Sequence, residues 1–190
     1  AYVNFEWDAY MLWGHKARVV STDPMRQADY FHNLHYAMLH LNYPLQAPFL
    51  MASVNGVAGD LKEILPKLVF PLSYVAYGLL LFAGIRTQVK GRPAVLLVLL
   101  GFTPAAVLRW AGSGYVDVVL AMFHTGTVAA LLLWSRSTSR SHAVLAAVFA
   151  AGAAFTKNEG LALLGIYAVA VVILTAGARW RRRLPRTVLF

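Results

Sequence analysis

GYVDVVLAMFHTGTVAALLLW, residues 114–134, runs directly into SRSTSRS, residues 135–141. The first stretch has a single carboxylate, Asp117, near its start and no Lys or Arg. Wound as an α-helix at about 1.5 Å per residue, it covers the roughly 30 Å of a bilayer's hydrocarbon. The second stretch is polar and carries Arg136 and Arg140. Working outward, the alternation repeats: apolar segments at about 65–85, 94–111, 142–157 and 160–178 are separated by short connectors, the 142–157 segment being the shortest of the five. The sequence therefore predicts an all-α integral membrane protein, a multi-span helical bundle.

Composition agrees. Of 190 residues 59% are hydrophobic and 13% charged, and the mean hydropathy is +0.58. An ordinary soluble domain carries about 25% charged residues, so the expected surroundings are a lipid bilayer. The 17 Lys and Arg exceed the 8 Asp and Glu. The basic residues gather in short clusters between apolar runs, not in the stripe a nucleic-acid binder needs, so no nucleic-acid partner is expected. There is no cysteine, hence neither a disulfide framework nor a thiolate metal site.

The connectors alternate in charge. Arg86, Lys90 and Arg92 follow the first segment, Arg136 and Arg140 the third, and Arg179, Arg181, Arg182, Arg183 and Arg186 the fifth, whereas 111–114 and 157–160 are nearly bare. The positive-inside rule puts the arginine-rich connectors in the cytoplasm and residues 1–64 on the other side. Six of the eight acids (Glu6, Asp8, Asp23, Asp29, Asp60 and Glu63) lie in 1–64, and the other two, Asp117 and Glu159, fall at outer ends of segments. This divides the chain into an extracytoplasmic first loop, 1–64, with interfacial helices, and a transmembrane bundle, 65–190. The chain opens at Ala1 within a polar, aromatic stretch and stops soon after a basic cluster, as expected of a piece of a longer protein with an earlier span upstream.

Within the loop, residues 6–20 read as a short amphipathic helix on the membrane surface. Asp8, Leu12, His15 and Val19 recur at helical spacing beside a second stripe of Trp7, Met11, Gly14 and Arg18. Asp23-Pro24 makes a break, and Tyr43-Pro44 and Ala47-Pro48 are expected to interrupt regular structure. His32, His35 and His40 match no metal-ligand box and read as interfacial histidines.

Four ionisable residues stand out against the apolar segments: Arg109, Asp117, Lys157 and Glu159. Charge at or inside a span is costly and marks a candidate site, although side chains near helix ends also snorkel to the headgroups. All four fall where loop 1–64 is expected to cover the bundle. Asp8 is the most suggestive loop carboxylate, flanked by Trp7 and Tyr10 and seven residues before His15, which puts the two on one helical face. A half-dry aromatic setting suits a general base; a mere helix N-terminal acid is the alternative.

The run Trp7-Asp8-Ala9-Tyr10-Met11-Leu12-Trp13-Gly14-His15-Lys16-Ala17-Arg18, then His40-Leu41-Asn42-Tyr43-Pro44-Leu45, Gly114-Tyr115-Val116-Asp117 and Thr156-Lys157-Asn158-Glu159-Gly160-Leu161, resembles bacterial membrane glycosyltransferases of the C superfold. Within that superfold the closest type is the family 39-like group, similar to dolichyl-phosphate-mannose-protein mannosyltransferases. The resemblance implies a multi-pass protein of the bacterial inner membrane that moves a sugar, with inversion, from a polyprenyl-phosphate-linked donor to an acceptor it does not identify. It implies Asp8 as catalytic base, with Glu6 as the weaker candidate. Lys157, Arg109, Lys16 and Arg18 become the cations available to the leaving phosphate, and Asp117 a group for sugar hydroxyls; His15 and Glu159 complete the candidate substrate-binding set. No cofactor is expected, although some relatives in the superfold use a divalent ion near the place of Asp117. The competing readings are a transporter or flippase, whose charges would lie near the bilayer midplane, and a non-catalytic assembly subunit.

Overall fold

A computed structural model describes residues 8–22, 29–58 and 65–183. Glu6, Trp7, Asp23, Asp60, Glu63 and Arg186 lie outside the described residues, as does the Asp23-Pro24 break. Every regular element among the described residues is helical. A π-helical turn, Ala9–Gly14, leads into α1, His15–Thr22; a 3-10 helix, Leu34–Leu39, and α2, Gln46–Ala58, complete an N-terminal layer. A 3-10 turn, Leu65–Leu68, then opens α3, Val69–Arg86, followed by α4, Arg92–Phe102, α5, Ala105–Ser113, α6, Asp117–Ser137, α7, Arg140–Thr156, and α8, Asn158–Arg183.

Among the described residues three helices are long and apolar enough to cross a membrane: Leu65–Arg86, Asp117–Ser137 and Asn158–Gly177. The segment expected at 94–111 is α4 and α5, bent by 57° and passing that test only as a pair. Pro104 explains the bend, since it has no N–H to donate and pushes Thr103 out of helical backbone. The break strands carbonyls at the end of α4, and α3 caps two of them. The Tyr77 hydroxyl donates to the Gly101 carbonyl at 2.8 Å, and Tyr74 donates to the Phe102 carbonyl. The Phe102 ring stacks on Tyr74 with centroids 4.2 Å apart. The segment expected at 142–157 is α7, a 17-residue apolar helix shorter than those three.

α6 and α7 interlock through reciprocal notches: the Phe149 ring fills the space a side chain at Gly126 would take, and the Phe123 ring does the same at Gly152. α7 turns into α8 through Lys157, whose backbone is extended, and a Cβ on Gly160 would run into the Ala153 backbone, so this turn requires glycine. Outward faces stay apolar: Leu79, Leu100, Val169, Val172 and Ile173 are exposed, and the spanning window of α8 is only 11% buried. An apolar surface of that extent is stable against lipid, not water.

The largest buried cluster lies at one end of the helices, not midway along them. It joins Leu12, Trp13 and Ala17 of the layer, Ala47 and Met51 of α2, and Phe70, Tyr74, Ala111, Val116, Val118 and Val119 of the bundle. Pro48 does not interrupt structure here. It sits in the first turn of α2, where its missing N–H would have no intrahelical acceptor, and it is buried.

Candidate functional site

The layer is seated on the α5–α6 hairpin. Gly114 turns the chain with φ +86°, a conformation natural to glycine, and a Cβ there would lie 3.1 Å from the Ala9 Cβ and 3.5 Å from the Phe70 ring. Asp8 therefore sits one residue from this seat and Asp117 three residues from it. Asp8 holds the N-cap position of the π-helical turn but makes no capping hydrogen bond with its side chain. Its half-buried carboxylate is thus not spent on a cap, although Asp8 does stand at the helix N-terminus, where the dipole favours an acid.

The π-helical turn also alters the stripes. His15 N–H bonds back to the Tyr10 carbonyl, five residues earlier. That winding shifts the register by about one residue relative to an α-helix and takes Asp8 and His15 off the common face their spacing predicts. The buried stripe is Ala9, Leu12, Trp13, Lys16 and Ala17, whereas Arg18 is exposed. His15 instead joins an aromatic group, with its ring 5.3 Å from Tyr30 and 6.2 Å from Tyr36. Burial, reinforced by the Arg18 charge, lowers the His15 pKa, and burial with the neighbouring Tyr36 pushes Tyr30 up to about 12.

Three of the four ionisable residues expected to converge are seen in contact. Lys157 Nζ lies 3.0 Å from Asp117 Oδ1 and 3.3 Å from Glu159 Oε1. Asp117 opens α6 and Glu159 lies in the first turn of α8, where helix dipoles favour carboxylates. Arg109 is exposed on α5. Lys16 is placed quite differently from a surface cation. It is 0% exposed, donates to the His40 carbonyl at 2.6 Å, and lies 5.5 Å from the Trp13 ring centroid and 5.7 Å from that of Tyr43. Burial lowers its pKa to about 8. As folded, Lys16 is closed off from the headgroup level where a lipid phosphate would meet it.

His32, His35 and His40 are exposed, and no three His, Asp or Glu among the described residues gather to hold a metal ion. A pair that sequence reasoning passed over lies deeper: His124 Nδ1 of α6 is 2.7 Å from the Tyr167 hydroxyl of α8. The available signal was a histidine inside the apolar run 114–134, seven residues and therefore two turns beyond Asp117. Chemically the site offers one unspent carboxylate, a fixed ion triad, and exposed Arg18, all around the layer-covered end of the helices. Comparison with protein-family models, with curated proteins and with solved structures finds no match for the chain.

Proposed function

We propose that this chain forms the donor-side part of a membrane glycosyltransferase that takes sugar from a polyprenyl-phosphate carrier, with residues 1–64 outside the cytoplasm of a bacterial inner membrane. The observation that carries this reading is the unspent Asp8 carboxylate, seated through Ala9 on Gly114 in the same layer-covered end as the Asp117–Lys157–Glu159 triad. A lipid-borne sugar phosphate presents its reacting carbon at this level of a bilayer. Asp8 takes the acceptor hydroxyl's proton as that oxygen bonds to the anomeric carbon, and the carbon–oxygen bond to the lipid phosphate breaks with its electron pair on phosphate. In this reading Arg18 and Arg109, both exposed, receive that charge, and the triad carboxylates bind sugar hydroxyls.

The test is transfer of radiolabelled sugar from a polyprenyl-phosphate donor in membranes containing the full-length protein, wild type against Asp8→Asn. The expected loss is at least about 100-fold in turnover, the usual span of general-base catalysis. Equal transfer in both proteins removes Asp8 from the mechanism. A transporter is the second reading, favoured by one observation: the His124–Tyr167 pair lies inside two helices long enough to span a membrane. For transport, His124→Asn abolishes substrate movement while Asp8→Asn leaves it intact; for the transferase the ranking reverses.

A further inference from the structure

A lysine ammonium has three donors and normally meets water or a carboxylate. Among the described residues Lys16 has no carboxylate partner, and it is closed off from bulk solvent. Its one hydrogen bond goes to a backbone carbonyl, that of His40, in a residue held at φ +47°. Its remaining surroundings are aromatic: Trp13 stacks on Tyr43 at 5.8 Å, and Tyr43 on His40 at 4.9 Å. These rings belong to the layer, and Trp13 reaches into the cluster that seats the layer on Phe70 and Val116–Val119. Ring faces attract a cation, but a carboxylate or solvent would satisfy it better, and burying a charge without a counter-ion opposes the packing around it. Two opposed forces therefore act on one contact: the apolar cluster closes the layer on the helix ends, and Lys16 works against closure.

We propose that the layer is a lid over the helix ends and that Lys16 is its trigger, a charge that gains a counter-ion only when the layer lifts to admit a phosphate-ester anion. A lifted layer exposes the ammonium with its unspent donors at the edge of the apolar helices, where a lipid phosphate resides. Binding of that anion to the open form shifts the population toward it, as any ligand does when it favours one of two states. The inference deepens the transferase reading by naming how the same site opens, and it rests on that reading for the identity of the donor alone.

The charged and titratable groups near Lys16 come from the layer and from the helix ends it covers. Among the described residues the π-helical turn and α1 carry Asp8, His15 and Arg18, the 30–45 segment carries Tyr30, His32, His35, Tyr36, His40 and Tyr43, α2 has none, and the helix ends under the layer carry Tyr74, Arg109, Tyr115 and Asp117. Burial lowers the Lys16 pKa to about 8, so its charge is lost within the range from pH 7 to 9.5. Neutral Lys16 no longer opposes closure, and the lid tightens as pH rises.

The experiment is hydrogen exchange over residues 36–44 in the full-length protein, held in zwitterionic-lipid discs, with and without short-chain polyprenyl phosphate, inorganic phosphate, or added anionic phospholipid. At pH 7 polyprenyl phosphate is expected to speed exchange in this segment about tenfold. In Lys16→Met the response disappears, basal exchange is slower than in wild type, and the melting temperature rises. An equal response to inorganic phosphate identifies a free phosphate as sufficient, and one to anionic phospholipid alone identifies the headgroup as the ligand; both keep the lid. A Lys16→Met protein that responds like wild type, or melts lower, overturns it. If that variant does not express, wild type decides: after correction for intrinsic rate, exchange over 36–44 must slow from pH 7 to 9.5, and an unchanged or faster rate refutes the trigger. Opening by polyprenyl phosphate without sugar transfer sinks the transferase and leaves the lid standing. Normal transfer by Lys16→Met with unaltered exchange does the opposite.

Discussion

Lys16 and Lys157 lie at the same end of the helices, and the fold has given them opposite surroundings. Lys157, with 18% of its side chain exposed, is clasped between the carboxylates of Asp117 and Glu159. Lys16, wholly enclosed, has ring faces and one carbonyl. A clasped lysine ties three helix ends together and keeps its charge; an enclosed lysine without a carboxylate loads the contact it sits in. In the proposed lid the bundle end stays put and the layer above it moves.

The comparison breaks most severely at Trp13, the largest of the wholly buried side chains. Trp13→Ala removes both a wall of the Lys16 cage and a core residue of the seat, at about 3–5 kcal/mol. Exchange protection over residues 9–20 is expected to collapse while that of α6 and α7 stays. Loss of protection in both regions would mean that layer and bundle are one cooperative unit.

Next in size is Lys157→Met, which leaves Asp117 and Glu159 facing each other without their cation. A loss of about 1 kcal/mol is expected, as for a partly exposed pair, with recovery when Asp117→Asn is added. The sign is opposite to that of Lys16→Met, and thermal melts of the two single variants side by side suffice to see it. Destabilisation by both would show that the cage attracts its ammonium as strongly as the triad does.

A pH series sharpens the same contrast. The folded pKa of Lys16 is lowered, so between about 8 and 10.5 the closed form binds fewer protons than the open form. Its stability rises with pH across that window and is lost as pH falls through about 8. The slope of melting temperature against pH there should vanish in Lys16→Met, and a slope retained by the variant assigns it to another group. The smallest effect is expected deep in the helices. Tyr167→Phe removes the bond to His124 for about 0.6 kcal/mol, the usual worth of an interhelical hydrogen bond. If it instead abolishes activity, the polar pair belongs to the mechanism and the transport reading gains.

Helix positions were legible because the signals are local: long apolar runs and basic connectors. The bend at Pro104 was not anticipated because it depends on Tyr74 and Tyr77 of a different helix accepting the broken end as a partner. Pro48 was misjudged for a related reason, since a proline interrupts a helix interior but not its first turn, and the first turn of α2 is defined by what precedes it. In the site, the meeting of Asp117, Lys157 and Glu159 followed from sidedness alone, while the burial of Lys16 did not, since a lysine between His15 and Arg18 reads as part of a polar face.

By itself the sequence determined which segments are apolar helices, that six of the eight acids lie within residues 1–64 while arginine-rich connectors alternate with nearly bare ones, and which few ionisable groups stand against the apolar background. Those properties depend on residues within a turn or two of one another. Only the tertiary structure decided what each of those groups touches. The bond from Lys16 to His40 spans 24 residues, that from Lys157 to Asp117 spans 40, and that from His124 to Tyr167 spans 43. The energy of a charge in an apolar setting is set by the partners within a few ångströms of it, and at such separations along the chain only packing determines which partners those are.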